Sequence, residues 1–276
     1  VSPGLVPSDS GIMQIHSNDY RNPGQLPDGG VLVVGAGSSG SQISDELLRT
    51  GRQVFLSVGP HDRPPRRYRG HDYVWWLGVL GIWQAQTPDP KTEHVTIAVS
   101  GFDGGETVDF RRFARRGMTL LGMTKEFKDG ILFFDGDLKE SITQGDKNYL
   151  SVLDKADDYV SRNNLDLPEE QEARIIEADP ECLTNPILEL DLNKNGIRSI
   201  IWATGYSQDF SWLKVDTFDA SGAPRHHKGV SAENGIYFIG LPWLSMRGSS
   251  FIWGVWQDAK YLAEHIAEKK KISVKV

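Results

Sequence analysis

Val31-Leu32-Val33-Val34-Gly35-Ala36-Gly37-Ser38-Ser39-Gly40 is the stretch that decides how this chain is read. Four β-branched or leucine residues in a row suit a strand buried on both faces of a parallel sheet. The glycines that follow have G-x-G-x-x-G spacing. Residues 42–49 then place Ile43, Leu47 and Leu48 at helical intervals, and Gly51 supplies the stop. Val54-Phe55-Leu56-Ser57-Val58 is a second strand. Strand, glycine turn, helix and strand thus fill about thirty residues, one βαβ unit.

That context gives the glycines a physical job. The first permits a tight turn, the second lets the backbone approach a pyrophosphate, and the third lets helix and strand pack closely. The start of the helix offers unpaired N–H groups and a positive dipole end to phosphate. Gly35, Gly37, Ser38, Ser39 and Gly40 are therefore candidate dinucleotide ligands; a ligand-free turn in a doubly wound sheet is the competing reading. NAD and FAD sites usually carry an acid at the end of the second strand. Here Ser57-Val58-Gly59-Pro60 has none, and Arg63, Arg66, Arg67 and Arg69 follow closely. Because arginine pairs well with phosphate, the expected cofactor is NADPH, with Arg63, Arg66 and Arg67 as candidates for its 2′-phosphate. The missing acid also weighs against S-adenosylmethionine.

Outward from this unit, the first 24 residues are rich in Pro, Gly and Asn and read as an extended lead-in. Residues 96–99, 118–121 and 131–134 read as strands, and 109–116 and 149–160 as helices. Residues 200–203 and 236–239 are further apolar strands. Residues 251–269 read as a closing helix capped by Ser249 or Ser250, apolar all round in its first half and so expected to be buried.

The 276 residues predict one or two domains. Lys and Arg total 30 against 37 Asp and Glu, a net charge of −7, which disfavours a nucleic-acid partner. The single cysteine, Cys182, excludes an internal disulfide or a Cys-rich zinc site and points to a reducing, cytoplasmic setting. No apolar run reaches the length of a transmembrane span. There is no G-x-S-x-G elbow and no Tyr-x-x-x-Lys pair, which argues against α/β-hydrolases and short-chain dehydrogenases. His226-His227 and His265 lack partners at metal-ligand spacing, so no metal site is expected.

Four stretches together resemble the flavin-containing monooxygenase superfamily. His16-Ser17-Asn18-Asp19-Tyr20-Arg21 is similar to the second half of its F-x-G-x-x-x-H-x-x-x-[YF]-[KR] fingerprint, although Ser10 and Ile12 stand where Phe and Gly are expected. Gly35 to Gly40 is the nucleotide turn. Ala203-Thr204-Gly205-Tyr206 resembles the second A-T-G-[YF] hinge, and Gly235-Ile236-Tyr237-Phe238-Ile239-Gly240, with the tryptophan-rich helix after it, resembles the closing flavin contact. The resemblance implies an FAD- and NADPH-dependent enzyme that uses oxygen to oxygenate a small-molecule substrate. It places Thr204 and Gly205 between the two nucleotide domains, Gly240 and Leu241 close to the flavin, and Ser249 and Ser250 at a helix N-terminus facing the flavin ring. No side chain is singled out as acid, base or nucleophile.

The family carries two G-x-G-x-x-G turns, FAD first, and this chain has one in the second position. The expectation is therefore an α/β fold with a lead-in over 1–24, a Rossmann-like NADPH domain over 25–195, and the C-terminal part of an incomplete FAD domain over 196–276. Such a chain should bind FAD poorly and associate with the missing half or with itself. The alternatives are an NADPH-binding module without flavin chemistry and a flavin-dependent reductase that never oxygenates.

Overall fold

The run that opens the glycine turn is one of five parallel strands. In the computed structural model, which describes residues 4–86 and 96–273, these strands are β1 (Met13–His16), β2 (Gly30–Val34), β3 (Val54–Ser57), β4 (Thr119–Leu121) and β8 (Ile197–Trp202), in the spatial order β1-β8-β2-β3-β4. Helix α1 (Ser38–Arg49) connects β2 to β3. It ends where Gly51 takes φ +79° and donates its N–H to Leu48 O, while Arg52 donates to Leu47 O; only a residue without Cβ adopts that conformation at no steric cost.

The continuous apolar pattern is explained by what lies on each face. Val31, Val33, Val54, Leu56, Leu120 and Ile201 point to one side, packing with Leu47 of α1, with Phe110 and Phe113 of α2 (Phe110–Arg115), and with Leu138 and Ile142 of α3 (Leu138–Arg162). Leu32, Val34, Phe55, Leu121, Ile200 and Trp202 point to the other, against Leu132, Phe134 and Leu190. Those three come from an antiparallel meander of β5 (Thr124–Lys128), β6 (Ile131–Phe134) and β7 (Glu189–Asp191). With both faces covered, alternate residues have no solvent side to mark.

Two compact units divide the chain, Val1–Tyr73 with His94–Tyr206 and Val74–Glu93 with Ser207–Val276. The first holds the parallel sheet and the meander. The expected boundary at 195/196 would cut the sheet just before β8, which runs beside β2 in its middle; the units part instead between Tyr206 and Ser207. The lead-in also differs: residues 13–16 form β1, paired in parallel with β8 from Met13↔Ser199 to His16↔Trp202.

Among the described residues, the second unit has little regular pairing. Its main elements are the short helix Tyr73–Val79, whose first residue belongs to the first unit, and α4 (Val255–Ser273). The strand expected at 236–239 is reduced to a single bridge between Val230 and Tyr237, and that expected at 96–99 to a bridge between Asp62 and Ile97. The closing helix begins at Val255, four residues later than expected, and Phe251, Ile252, Trp253 and Trp256 are exposed rather than buried. Among the described residues, no helix is long and apolar enough to cross a membrane.

Candidate functional site

Ligands of open parallel sheets bind outside the carboxyl ends of the strands, where connections leave in opposite directions. After β2 the chain turns towards α1 and β3; on the other side of β2 lies β8, continuing into residues 203–206. The glycine turn stands at that switch point. Ala203 N–H donates to Val34 O at 2.8 Å. Gly35 has φ +103°, and a Cβ on it would lie 2.4 Å from Ala203 O. A Cβ on Gly40 would lie 1.8 Å from Gly35 O. Both glycines are required by backbone packing.

Gly37 is different. It is the N-cap of α1, in extended conformation, and offers no side-chain cap. A Cβ there would come within 4 Å of one described atom only, Thr96 Cγ2 at 2.9 Å. The first helical bond runs from Ser41 N–H to Gly37 O at 2.9 Å, so helix geometry leaves the N–H groups of Ser38, Ser39 and Gly40 without intrahelical acceptors. A helix N-terminus without a side-chain cap, beside a residue lacking Cβ, fits a dinucleotide pyrophosphate. The Ser38 hydroxyl is engaged, donating to Ile97 O at 2.8 Å.

At the ends of β1 and β8, a second group of residues meets. His16 Nδ1 accepts from Asn18 N–H at 3.2 Å, so its Nε2 carries the proton it donates to Gly205 O at 3.1 Å. The His16 and Tyr206 rings meet edge to face at 5.2 Å, and Ser17 Oγ lies 3.3 Å from the Tyr206 hydroxyl. Gly205 holds φ +90°, and Thr204 beside it is exposed. His16 and Tyr206 are thus brought beside Thr204 and Gly205, a grouping that sequence order 190 residues apart does not announce.

Arg63, Arg66 and Arg67 each have partners within the protein. Arg63 is 4% exposed, bonded to Asp146 Oδ1 at 2.8 Å and Val108 O at 3.2 Å, with its guanidinium over the Tyr149 ring. With its charge met by buried Asp146 and its guanidinium held inside the protein, Arg63 serves the packing of the fold. Arg66 pairs with Asp72 at 2.9 Å, and Arg67 donates to Gly104 O at 3.2 Å. The segment carrying Gly104 passes Phe102, whose ring centre is 3.3 Å from Cζ of Arg49, the last residue of α1. Arg67 is thus tied to the segment that packs on the last residue of α1. The spacing read as phosphate recognition describes how this loop is tied down.

In the second unit, Gly240 is exposed with φ +78°, and Leu241 is half-buried, its carbonyl accepting from Leu244 N–H at 3.3 Å. Ser249 and Ser250 lie in a short 3-10 turn, Arg247–Ser250, rather than on the last helix. Ser249 is fully buried, and its hydroxyl oxygen accepts from the N–H groups of Ser245 and Met246, both at 3.1 Å. It is a turn-closing residue, not an outward-facing one; Ser250 is exposed.

The profile of the flavin-binding monooxygenase-like family matches residues 6–73, which include β1, the glycine turn and β3. The chain is 30% identical over 257 residues to an uncharacterized CzcO-like oxidoreductase of Geobacillus kaustophilus, covering 92% of this chain and 57% of the relative. It is 29% identical over 259 residues to the uncharacterized oxidoreductase CzcO of Bacillus velezensis, covering 92% of this chain and 58% of the relative. A mutant flavin monooxygenase from Stenotrophomonas maltophilia has the same fold, with TM-score 0.53 at 15% identity over 96% of this chain and 58% of that one. This chain belongs to the flavin-containing monooxygenase superfamily. It spans a little under three-fifths of the length of these relatives.

For a flavin-containing monooxygenase superfamily member, the glycine turn and the A-T-G segment were legible as motifs. Their meeting was not, because it depends on β8 inserting between β1 and β2. Thr96 carried no signal at all; it reaches Gly37 through a segment whose local sequence suggests an ordinary strand.

Proposed function

We infer that the chain is part of a flavin-dependent oxidoreductase of the monooxygenase type in which the first unit holds NADPH at the β2–α1 turn. Residues after Tyr206 belong, in this reading, to the FAD-binding side. The observation that carries it is Gly37: a residue without Cβ at a helix N-terminus that no side chain caps, set at the switch point of a parallel sheet. There the N–H groups of Ser38, Ser39 and Gly40 would hold the pyrophosphate, and Gly35 and Gly40 keep the turn tight enough for all three to face one way. FAD, when bound, supplies the redox chemistry towards oxygen and a small-molecule substrate. The chain's own part is to position the nicotinamide dinucleotide. His16 contributes by pinning Gly205, which keeps the continuation of β8 beside the turn. The single cysteine is compatible with a reducing, cytoplasmic setting.

Calorimetric titration tests this. NADPH should bind the parent chain, and Gly37→Val should abolish binding while the far-ultraviolet dichroism stays unchanged. Equal affinity in the two proteins would refute the reading, because the missing Cβ would then serve only the turn.

A further inference from the structure

The space beside Gly37 is already taken. Residues 96–100 run along α1 as a strap, starting over its first turn. On one side the strap is tied to the loop after β3, where Asp62 N–H donates to Thr96 O at 2.8 Å and Ala98 N–H donates to Asp62 O at 2.9 Å. On the other it is tied to the helix by two side chains, Ser38 Oγ to Ile97 O at 2.8 Å and Gln42 Nε2 to Val99 O at 3.0 Å. Ala98 between them is fully buried. The Thr96 methyl is the one described atom within 4 Å of where a Gly37 Cβ would be, at 2.9 Å. That is the side from which a pyrophosphate must approach the backbone.

We propose that this strap is a gate on the glycine turn: it covers the Gly37 face when the site is free of nucleotide, and a dinucleotide binds only when Thr96 and its neighbours lift away. The proposal rests on the nucleotide reading above and adds its regulation. A covered and an uncovered state exchange, and the observed dissociation constant is the intrinsic one divided by the uncovered fraction. The helix side of the strap hangs on two side-chain hydrogen bonds. Removing one should raise the uncovered fraction roughly two- to tenfold, the range that a single such bond commands.

Two variants separate the gate from the phosphate contacts. Gln42→Ala cuts one tether four residues along the helix from Ser38. Thr96→Ser removes the methyl over Gly37 and keeps the backbone bonds. Calorimetric titration with NADPH should give a dissociation constant roughly two- to tenfold lower in Gln42→Ala, and a lower one in Thr96→Ser, than in the parent. Hydrogen exchange at the Ala98 amide should become faster in the parent when NADPH is added, because lifting the strap off α1 opens this fully buried residue to solvent. Affinity unchanged or weakened in both variants, or slower exchange at Ala98 with NADPH, overturns the gate while leaving nucleotide binding intact. No heat of binding in any of the three proteins overturns the nucleotide reading and the gate with it.

Discussion

Every residue of β2 and β3 in the first unit is buried, while in the second unit Phe251, Ile252, Trp253 and Trp256 are all exposed, Ile252 at 98%. Both stretches are dense in apolar side chains. The difference lies in what satisfies the backbone and supplies the opposing layer. β2 is paired on both sides, by β8 and β3, and β3 by β2 and β4; helices cover one face and the meander the other. In the second unit, strand pairing among the described residues amounts to His226–His227 with Val230–Ser231 and two further bridges. Around 251–254, turn bonds such as Gly254 N–H to Phe251 O take the place of a ladder. An apolar run becomes core only where neighbouring elements both close its hydrogen bonds and bring a second layer.

The largest effect expected from this contrast comes from a buried ion pair in the first unit. Asp146 on α3 accepts from Arg63 Nη2 at 2.8 Å and from Arg111 Nη1 at 2.5 Å. Arg111 also reaches Asp179 at 2.8 Å. Side chains of all three members of the Asp146 cluster are under 10% exposed. Asp146→Ala takes from the buried Arg63 the carboxylate that pairs it and leaves Arg111 with Asp179, and should cost about 3–5 kcal/mol of stability. The corresponding change in the second unit, Asp216→Ala, removes a partner of Arg225 that is 91% exposed; urea denaturation should find that change within its scatter. A loss below about 1 kcal/mol for Asp146→Ala would mean that the network does not hold α3 to the loop after β3.

That network also shows how far the sequence could be read. The βαβ unit, the strand at 131–134 and the stop at Gly51 were legible because each follows from a local rule of period, turn or cap. Helix α3 was read as 149–160 but spans Leu138–Arg162. Thr143, Gly145, Asp146 and Asn148 are poor helix formers, and tertiary packing overrides them: a Cβ on Gly145 would sit 2.5 Å from His61 Nε2. The arginine cluster misled for a related reason. Charge spacing shows that cations are close in sequence, but not that Asp146, some eighty residues on, has already claimed one of them. The order of the strands, which puts the glycine turn at a switch point of the sheet, has no local signature.

An intermediate effect is expected from acid, again unequal between the units. His61 is 2% exposed, with its ring against Phe110 and its Nδ1 near Gly59 O at 2.9 Å. Burial lowers its pKa below the ordinary 6.5; the nearby Arg63 charge adds to this, while the Gly59 carbonyl and Asp146 oppose it. The unfolded chain therefore takes up a proton at His61 before the folded one does. Stability contributed by the neutral ring is complete above about pH 6.5 and declines as the pH falls below it, at up to about 1.4 kcal/mol per pH unit for one site. In the second unit His226 is also lowered, by burial and then by its neighbour His227. Urea midpoints compared at pH 7 and pH 5 should show the decline in the parent and a clear flattening in His61→Gln. A slope untouched by that change would assign it to His226 or to carboxylates.

The smallest effect tests the exposed side of the comparison. Ile252 is 98% exposed, so shortening it removes apolar surface that was already in water. Ile252→Ala forfeits no burial and leaves no cavity, and the change in stability should stay within about 0.5 kcal/mol. The same chemistry at Ile201, fully buried in β8, should cost about 2–5 kcal/mol, because transfer and cavity terms both apply there. The pair of variants measures burial directly, in one protein and with one type of substitution. If Ile252→Ala costs more than about 2 kcal/mol in urea denaturation, its side chain is covered in solution, and the contrast between the two units fails at the residue where it is greatest.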